Sequence, residues 1–174
     1  MTEPEILTTE PELTESEKYM TEALLEAEKA LAAGEVPIGA IMVRNGEIIA
    51  RGHNLRNTDK NPLRHAEIDE IDASAKIVGD WRLEDCVLYV TVEPCPMCAG
   101  AIINARIPRV VYGASDGKSG ACGSVCDLFS MAINHHPQVE KGIREAECAA
   151  LLQEFFQNLR MELRSRPKWK KPQA

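Results

Sequence analysis

The sequence predicts an α/β protein in which a mixed sheet is covered by helices on both faces. Two apolar runs are joined by Asn45-Gly46, a dipeptide favoured in two-residue hairpin turns, so the sheet should begin with an antiparallel pair. After that pair, stretches with helical periodicity alternate with short β-branched runs, a pattern typical of strands linked by helical crossovers. With 174 residues, the chain is long enough for one compact domain with a single core.

Local signals predict the first helix and the hairpin. Thr14 and Glu17 have the spacing of a capping box, which indicates a helix over 15–33. The two runs flanking the turn predict strands over 36–44 and 47–54. Apolar residues recur along the helix at helical spacing and should form one buried stripe: Met20, Ala23, Leu24, Ala27 and Leu31.

The remaining chain alternates between helices and strands. Helices are predicted over 64–78 and 96–105, where a proline occupies the first turn. Buried strands are predicted over 86–92 and 109–113, because both runs are rich in β-branched residues. The last helix should cover 143–164. Its inward-facing apolar side chains should be Leu151, Leu152, Phe155, Phe156 and Leu159.

Charge divides the chain into a folded domain and two tails. The formal net charge is -7, yet residues 1–17 carry six glutamates and no basic residue, whereas 159–174 carry three Arg and three Lys against one Glu. We expect a disordered acidic tail over 1–13, a folded domain over 14–164 and a basic tail over 165–174. Overall acidity disfavours broad nucleic-acid affinity, but the basic end could meet phosphates locally; a solvated terminus is the alternative.

The sequence predicts a cytoplasmic protein without membrane contact. No apolar run approaches the roughly 18 residues that a membrane span requires. The acidic start lacks the basic residues and the apolar stretch of a secretory signal. Six cysteines in such a chain favour thiols or metal ligands over disulfides.

Two cysteines three positions apart, Cys95 and Cys98, open the predicted helix over 96–105. Alone, this pair indicates half of a structural zinc site, a redox pair or two unrelated thiols. Thirty residues before Cys95, His65 and Glu67 form an H-x-E pattern at the start of another predicted helix. Together, H-x-E and P-C-x-x-C match the signature of the zinc-dependent deaminases.

The spacing of these residues suits a catalytic zinc. Cysteines at a helix N-terminus point the same way, and the helix dipole favours their thiolates. With the imidazole of His65, Cys95 and Cys98 would supply three ligands to one zinc per chain and leave the fourth position for water. Glu67 is too close to His65 in sequence to chelate beside it, but it can carry protons between the water and the substrate.

Longer segments extend the similarity. On these residues the chain resembles the bacterial tRNA-specific adenosine deaminases (the TadA family), within the cytidine-deaminase superfamily. The resemblance runs from about residue 19 to residue 156. The segments that carry it are EVPIGA at 35–40, GHN at 52–54, HAE at 65–67, WRL at 81–83, TVEPCPMCAGAI at 91–102, ARIPRVVYGASDGKSGACGS at 105–124, NHHPQVEKGI at 134–143 and ECAALLQEFF at 147–156.

This resemblance implies a fold, a reaction and partners. The fold is a three-layer α/β/α sandwich with a five-stranded mixed sheet, of the cytidine-deaminase type, and the assembly is a homodimer. The reaction is zinc-dependent hydrolysis of adenosine to inosine at the wobble position of a tRNA anticodon, so the partner is the anticodon stem-loop.

The resemblance also implies substrate contacts. Asn54 would form a hydrogen bond with the target nucleoside, and Asp116 would lie beside a flanking ribose. Ala66 and Pro94 would present backbone groups to the edge of the base. Two further residues would help to wall the pocket: Val36 and Ile38.

Two other functions remain compatible with the motifs. A deaminase of a free base or nucleoside, such as guanine, cytosine or cytidine, would use the same zinc and the same glutamate. A non-catalytic, zinc-stabilised RNA-binding module is the second alternative, although such a protein has no use for Glu67. Cys122 and Cys126 could bind a second metal, but we interpret them as loop thiols, and Cys86 and Cys148 as small core residues.

Overall fold

The computed structural model describes residues 12–165 and contains a five-stranded mixed sheet with the strand order β2-β1-β3-β4-β5. The first three strands in that order are antiparallel neighbours, whereas β3, β4 and β5 are parallel. The strands are β1 (Gly39–Arg44), β2 (Glu47–His53), β3 (Cys86–Val92), β4 (Arg109–Ala114) and β5 (Gln138–Lys141). The predicted five-stranded mixed sheet is therefore confirmed.

Four α-helices cover the two faces of this sheet. They are α1 (Glu15–Ala32), α2 (Ala66–Val78), α3 (Pro96–Asn104) and α4 (Glu145–Ser165). One apolar cluster joins α1 and α4 to the sheet, and a second cluster joins α2 and α3 to the opposite face. Alternate residues of β1 divide accordingly, since Ile41 belongs to the first cluster and Met42 to the second. Because helices pack on both faces of the sheet, the predicted α/β/α sandwich is confirmed.

The sequence signals for the start of the first helix and for the hairpin turn are confirmed. Thr14 and Glu17 form the predicted capping box at the start of α1. Asn45 and Gly46 both have positive φ, at 52° and 78°, as a two-residue hairpin turn of this kind requires. The first strand starts at Gly39 rather than at residue 36, and Pro37, which has no backbone N–H, lies in the segment before it.

Two elements differ from the sequence-based prediction. No periodicity indicated β5, because Gln138–Lys141 is a short, mostly exposed edge strand. In α4 only Cys148 is buried, and Phe156, predicted to face inward, is 40% exposed. The prediction for Phe156 is wrong because the packing of α4 on the sheet centres near Cys148, at its N-terminal end. Cys86 and Cys148 are buried core residues, as predicted.

The tails predicted over 1–13 and 165–174 fall almost wholly outside the described residues, so they stay predictions. In residues 12–165, no helix has both the length and the apolar character that a membrane crossing requires.

The strand directions bring several loops to one edge of the sheet. The parallel strands β3 and β4 end side by side, with Val92 paired to Ala114. The antiparallel pairing of β1 with β2 and β3 places the start of β1 and the end of β2 at the same edge. In open α/β sheets, the carboxyl ends of parallel strands are the usual place for a binding site.

Candidate active site

Three potential metal ligands meet at this edge of the sheet. His65, Cys95 and Cys98 each offer one donor atom, and these atoms all lie within 4.8 Å of one another. Nδ1 of His65 is 3.7 Å from Sγ of Cys95 and 3.6 Å from Sγ of Cys98. A tetrahedral zinc with bonds of about 2.3 Å to sulfur and about 2.0 Å to nitrogen would separate such atoms by about 3.5 Å. The donor set therefore fits a zinc ion.

The two helices on one face of the sheet explain why these residues meet. His65 is the N-cap of α2 and Cys95 is the N-cap of α3, and neither side chain caps its own helix. Pro96 follows Cys95 in the first turn, where a missing N–H costs nothing, and Cys98 lies buried within that turn. Both helices thus direct their positive ends at the same point, which favours thiolates.

The pKa values of the three groups are strongly linked. A hydrogen bond from the Cys98 thiol, with a further contribution from His65, lowers the pKa of Cys95 to about 4. The bond between the two cysteines, together with burial, raises the pKa of Cys98 far above its usual range. The hydrogen bond to Cys95 also raises the pKa of His65. The three groups share protons that a divalent cation can displace on binding.

Glu67 lies beside this group without belonging to it. Its side chain is only 4% exposed, and burial raises the pKa of its carboxyl to about 7. The carboxyl interacts with the thiol of Cys98 and with the charges of Cys95 and His65. A carboxyl that titrates near neutral pH and is not a ligand suits a group that accepts and returns protons.

Asn54 is held by a carboxylate that sequence reasoning missed. It follows β2 directly, is 4% exposed, and its backbone N–H donates to the carbonyl of Ile38 at 3.0 Å. Nδ2 of Asn54 donates to the fully buried Glu35, at 3.4 Å, and the other oxygen of Glu35 accepts the backbone N–H of Thr58 at 2.6 Å. Glu35 therefore fixes the amide of Asn54 and the loop that follows it.

Three of the predicted substrate-binding residues line one cavity of about 600 Å³. Val36 and Ile38 line it together with Asp116, which lies in the loop after β4. The sequence did not assign the other residues of the lining to this cavity, and these include Lys118, Leu152 and the half-exposed Phe156.

The two backbone groups predicted to contact the base, the N–H of Ala66 and the carbonyl of Pro94, differ in whether they already have a hydrogen-bond partner. Ala66 is the first residue of α2, so its N–H has no acceptor within the helix. The carbonyl of Pro94 already accepts the N–H of Ala121, at 2.9 Å. A carbonyl oxygen has a second lone pair, so Pro94 retains one acceptor position.

Glu93, between β3 and Pro94, is a second buried carboxylate that sequence reasoning did not single out. Burial alone would raise its pKa, but the Ser124 hydroxyl and the backbone N–H groups of Asp116, Ser124 and Cys122 outweigh burial and lower it. Only the position next to the P-C-x-x-C motif could have drawn attention to this residue. Its partners lie more than twenty residues further along the chain.

Cys122 and Cys126 stay apart from the group formed by His65, Cys95 and Cys98. Cys122 is buried and Cys126 is exposed. In residues 12–165, His65, Cys95 and Cys98 are the one cluster with three or more close donor atoms. Burial raises the pKa of Cys122 above its usual range, so this thiol is protonated at neutral pH.

Comparison with known proteins relates the chain to deaminases. Residues 14–160 match the model of the MafB19-like deaminase family. A tRNA-specific adenosine deaminase of Bacillus subtilis is 50% identical over 117 residues, which are 67% of this chain and 73% of that protein. A tRNA-specific adenosine deaminase of Streptococcus pyogenes is 47% identical over 114 residues, 65% of this chain and 72% of that protein.

Solved structures agree with the sequence relatives. One comes from work on A-to-I editing by tRNA:A34 deaminases at the wobble position of transfer RNA; it is 44% identical, with a TM-score of 0.76, and the match covers 78% of this chain and 99% of that one. A guanine deaminase from Bacillus subtilis is 31% identical, with a TM-score of 0.56, over 89% of this chain and 97% of that one.

Proposed function

The chain belongs to the family of the tRNA-specific adenosine deaminases and to the MafB19-like deaminases, and we propose that it hydrolyses the wobble adenosine of a tRNA anticodon to inosine. The observation that carries the hydrolytic chemistry is the position of the buried Glu67 beside, but outside, the group formed by His65, Cys95 and Cys98, and the relatives support the tRNA substrate. Three ligands with an adjacent non-ligand carboxyl are the arrangement that metal-assisted hydrolysis needs.

The residues of the chain divide the work of the reaction. His65, Cys95 and Cys98 would hold one zinc per chain, and when bound this ion would supply the Lewis acidity that makes water nucleophilic near neutral pH. Glu67 accepts a proton from the attacking water on a carboxylate oxygen and delivers it to the purine ring nitrogen next to the reacting carbon. A second proton, carried by the same carboxyl, leaves with the amino group as ammonia. One water is consumed and one ammonia is released, so the reaction balances.

The pocket would bind the target nucleotide and its neighbours from several sides. In this proposal Asn54, oriented by Glu35, forms a hydrogen bond with the target nucleoside, and the backbone of Ala66 and Pro94 meets the base edge. In the cavity of about 600 Å³, Asp116 lies beside the flanking ribose, and Val36 and Ile38 help to wall the pocket. An anticodon loop offers unpaired bases, so the target can enter the pocket without the cost of opening a duplex.

A free-base deaminase remains the competing function, since the guanine deaminase is 31% identical to this chain. The higher identity to the tRNA-specific enzymes favours RNA, and so does the cavity beside the site, which a free base would leave unfilled. A non-catalytic RNA-binding module would have no use for a buried carboxyl with a pKa near 7 at the ligand group.

The direct test is to locate the product. A tRNA transcript with adenosine at the wobble position is incubated with the purified protein, digested to nucleosides and oligonucleotides, and analysed by mass spectrometry. We expect inosine at the wobble position and at no other adenosine, and no inosine with Glu67→Gln as the matched control. Inosine spread over many adenosines, or none at all, would contradict the proposal.

We also propose a homodimer located in the cytoplasm. The exposed Ile77 and Trp81 flank the face made by α2 and α3, where Trp81 lines an apolar groove with Ile68 and Ile71. Such a surface would be covered in a dimer. Sedimentation velocity should give a species of twice the chain mass, and a concentration-independent monomer would contradict this expectation.

A further inference from the structure

The carboxylate of Glu93 is the centre of a buried hydrogen-bond cluster beside the candidate active site. Its exposed fraction is 2%. One oxygen accepts the backbone N–H groups of Cys122 at 2.9 Å and Ser124 at 3.0 Å. The other oxygen accepts the backbone N–H of Asp116 at 3.0 Å and a short bond from the Ser124 hydroxyl. Four donors from one loop thus converge on a single side chain.

This cluster joins two segments with different tasks. Glu93 lies immediately before Pro94 and Cys95, so its backbone continues into the turn that carries two of the metal ligands. The loop 115–126 carries Asp116 and lines the cavity beside the site. Because β3 and β4 end side by side, the two segments leave the sheet as neighbours, and the N–H of Glu93 donates to the carbonyl of Ala114 at 2.8 Å.

The packing around Glu93 fixes the position of the loop 115–126 relative to the metal-ligand turn. A Cβ atom on Gly120 would lie 2.4 Å from the carboxylate of Glu93, so the loop backbone passes directly against it. Ala121 also donates its N–H to the carbonyl of Pro94, at 2.9 Å. The carboxylate and this backbone bond together fix the distance between the ligand turn and Asp116.

We propose that Glu93 is a positioning residue for RNA recognition, holding the Asp116 loop at the distance from the metal-ligand turn that a nucleotide flanking the target requires. The inference deepens the proposed function and rests on it. Glu93 itself touches neither the substrate nor the metal. It acts through the backbone of Asp116, and Asp116 in turn contacts the flanking nucleotide.

Glu93→Gln is the sharpest perturbation because it keeps the size of the side chain and changes one acceptor oxygen into a donor. If the new amide group replaces the oxygen that faces Cys122 and Ser124, it opposes two backbone N–H groups. If it replaces the other oxygen, it opposes the N–H of Asp116. Either orientation leaves a donor without an acceptor and releases part of the loop.

The assay is steady-state deamination of an anticodon stem-loop, with zinc content and melting temperature measured on the same samples. We expect Glu93→Gln to raise KM about tenfold, with kcat within about threefold of wild type and one zinc per chain, since a contact made equally in ground and transition state affects KM. In an Asp116→Ala background, which keeps the backbone N–H, Glu93→Gln should change KM by less than about twofold.

The matched control is Glu26→Gln, which alters another buried carboxylate, also 2% exposed, that pairs with Lys29 and His53 away from the cavity. It should lower the melting temperature while KM stays at the wild-type value. Should Glu93→Gln lose its zinc or its fold, Ser124→Ala removes only the hydroxyl donor. That variant should raise KM about two- to threefold and leave kcat unchanged.

The outcomes separate this inference from the proposed function. Wild-type protein that does not deaminate the stem-loop overturns both. An active wild type with an unchanged KM in Glu93→Gln overturns the positioning role alone. An equal increase in KM with and without the Asp116 side chain also overturns it, because Glu93 would then not act through Asp116.

Discussion

The buried carboxyl of Glu70 gives a stability prediction whose size follows from the structure. Glu70 lies on α2, one turn after Glu67, and is fully buried. One oxygen accepts the hydroxyl of Ser74 at 3.4 Å, and the other has no hydrogen-bond partner among the described residues. Burial raises the pKa of Glu70 from 4.5 to about 8. The folded protein therefore keeps a proton on Glu70 at neutral pH that the unfolded chain releases.

The sign of the pH dependence follows from this difference. Below pH 4.5 both states are protonated and Glu70 costs no stability through ionisation. As pH rises from 4.5 to about 8, only the unfolded state releases the proton, so unfolding is favoured by about 1.4 kcal/mol per pH unit. Between pH 4.5 and 7.5 the free energy of unfolding therefore falls by about 4 kcal/mol relative to that of a chain without this group.

Glu70→Gln removes the ionisation and keeps the shape of the side chain. We expect the unfolding free energy of the variant minus that of wild type to increase by about 1.4 kcal/mol per pH unit between pH 5.5 and 7.5. Urea unfolding at several pH values, with equal zinc loading, measures this difference, and groups common to both proteins cancel. Gln153→Ala, at an exposed residue of α4 that carries no charge, is the control and should give a difference that does not change with pH. A flat difference for Glu70→Gln would refute the reasoning.

Three further predictions concern a metal ligand, the proton carrier and the basic end of the chain. Cys98→Ser should lose zinc in metal analysis, whereas Cys86→Ala, at a buried thiol away from the site, should keep it; full zinc in the first variant would exclude Cys98 as a ligand. Glu67→Ala should keep its zinc and fold but lose about 10²–10⁴-fold in kcat, and near wild-type turnover would show that another group moves the protons. Removal of residues 165–174 should weaken tRNA binding and leave the zinc content unchanged. It should also reduce the slope of log binding constant against log salt concentration by about 0.7–0.9 for each phosphate that the tail neutralises in the full-length protein. Equal slopes for both proteins would show that the tail does not bind phosphates.

The cluster of His65, Cys95 and Cys98 was predictable because its residues carry their own local signals. A cysteine pair at a helix N-terminus and a histidine at the start of another helix have a spacing that few other sites require. His65 and Cys95 are the N-caps of α2 and α3, and Cys98 lies in the first turn of α3. The combined H-x-E and P-C-x-x-C patterns indicated these residues, and the strand directions bring the two helix starts to one edge of the sheet.

The supporting carboxylates were not predictable in the same way. Glu35 and Glu93 act on residues that are distant in sequence, and an isolated glutamate next to a proline has no periodicity that indicates burial. Strand β5 escaped prediction because an edge strand with exposed side chains does not need an apolar pattern. Phe156 followed the helical period of α4, but the period predicts which residues share a face and not where that face leaves the sheet.

The most direct test of the proposed function is a side-by-side measurement of kcat/KM for an anticodon stem-loop with adenosine at the wobble position and for free adenosine, cytidine, cytosine and guanine. We expect the stem-loop to be deaminated with the highest kcat/KM, because the cavity lined by Val36, Ile38 and Asp116 contributes binding only when flanking nucleotides are present. Rapid turnover of guanine or cytosine with none of the stem-loop would contradict the tRNA assignment and leave a zinc deaminase of free bases.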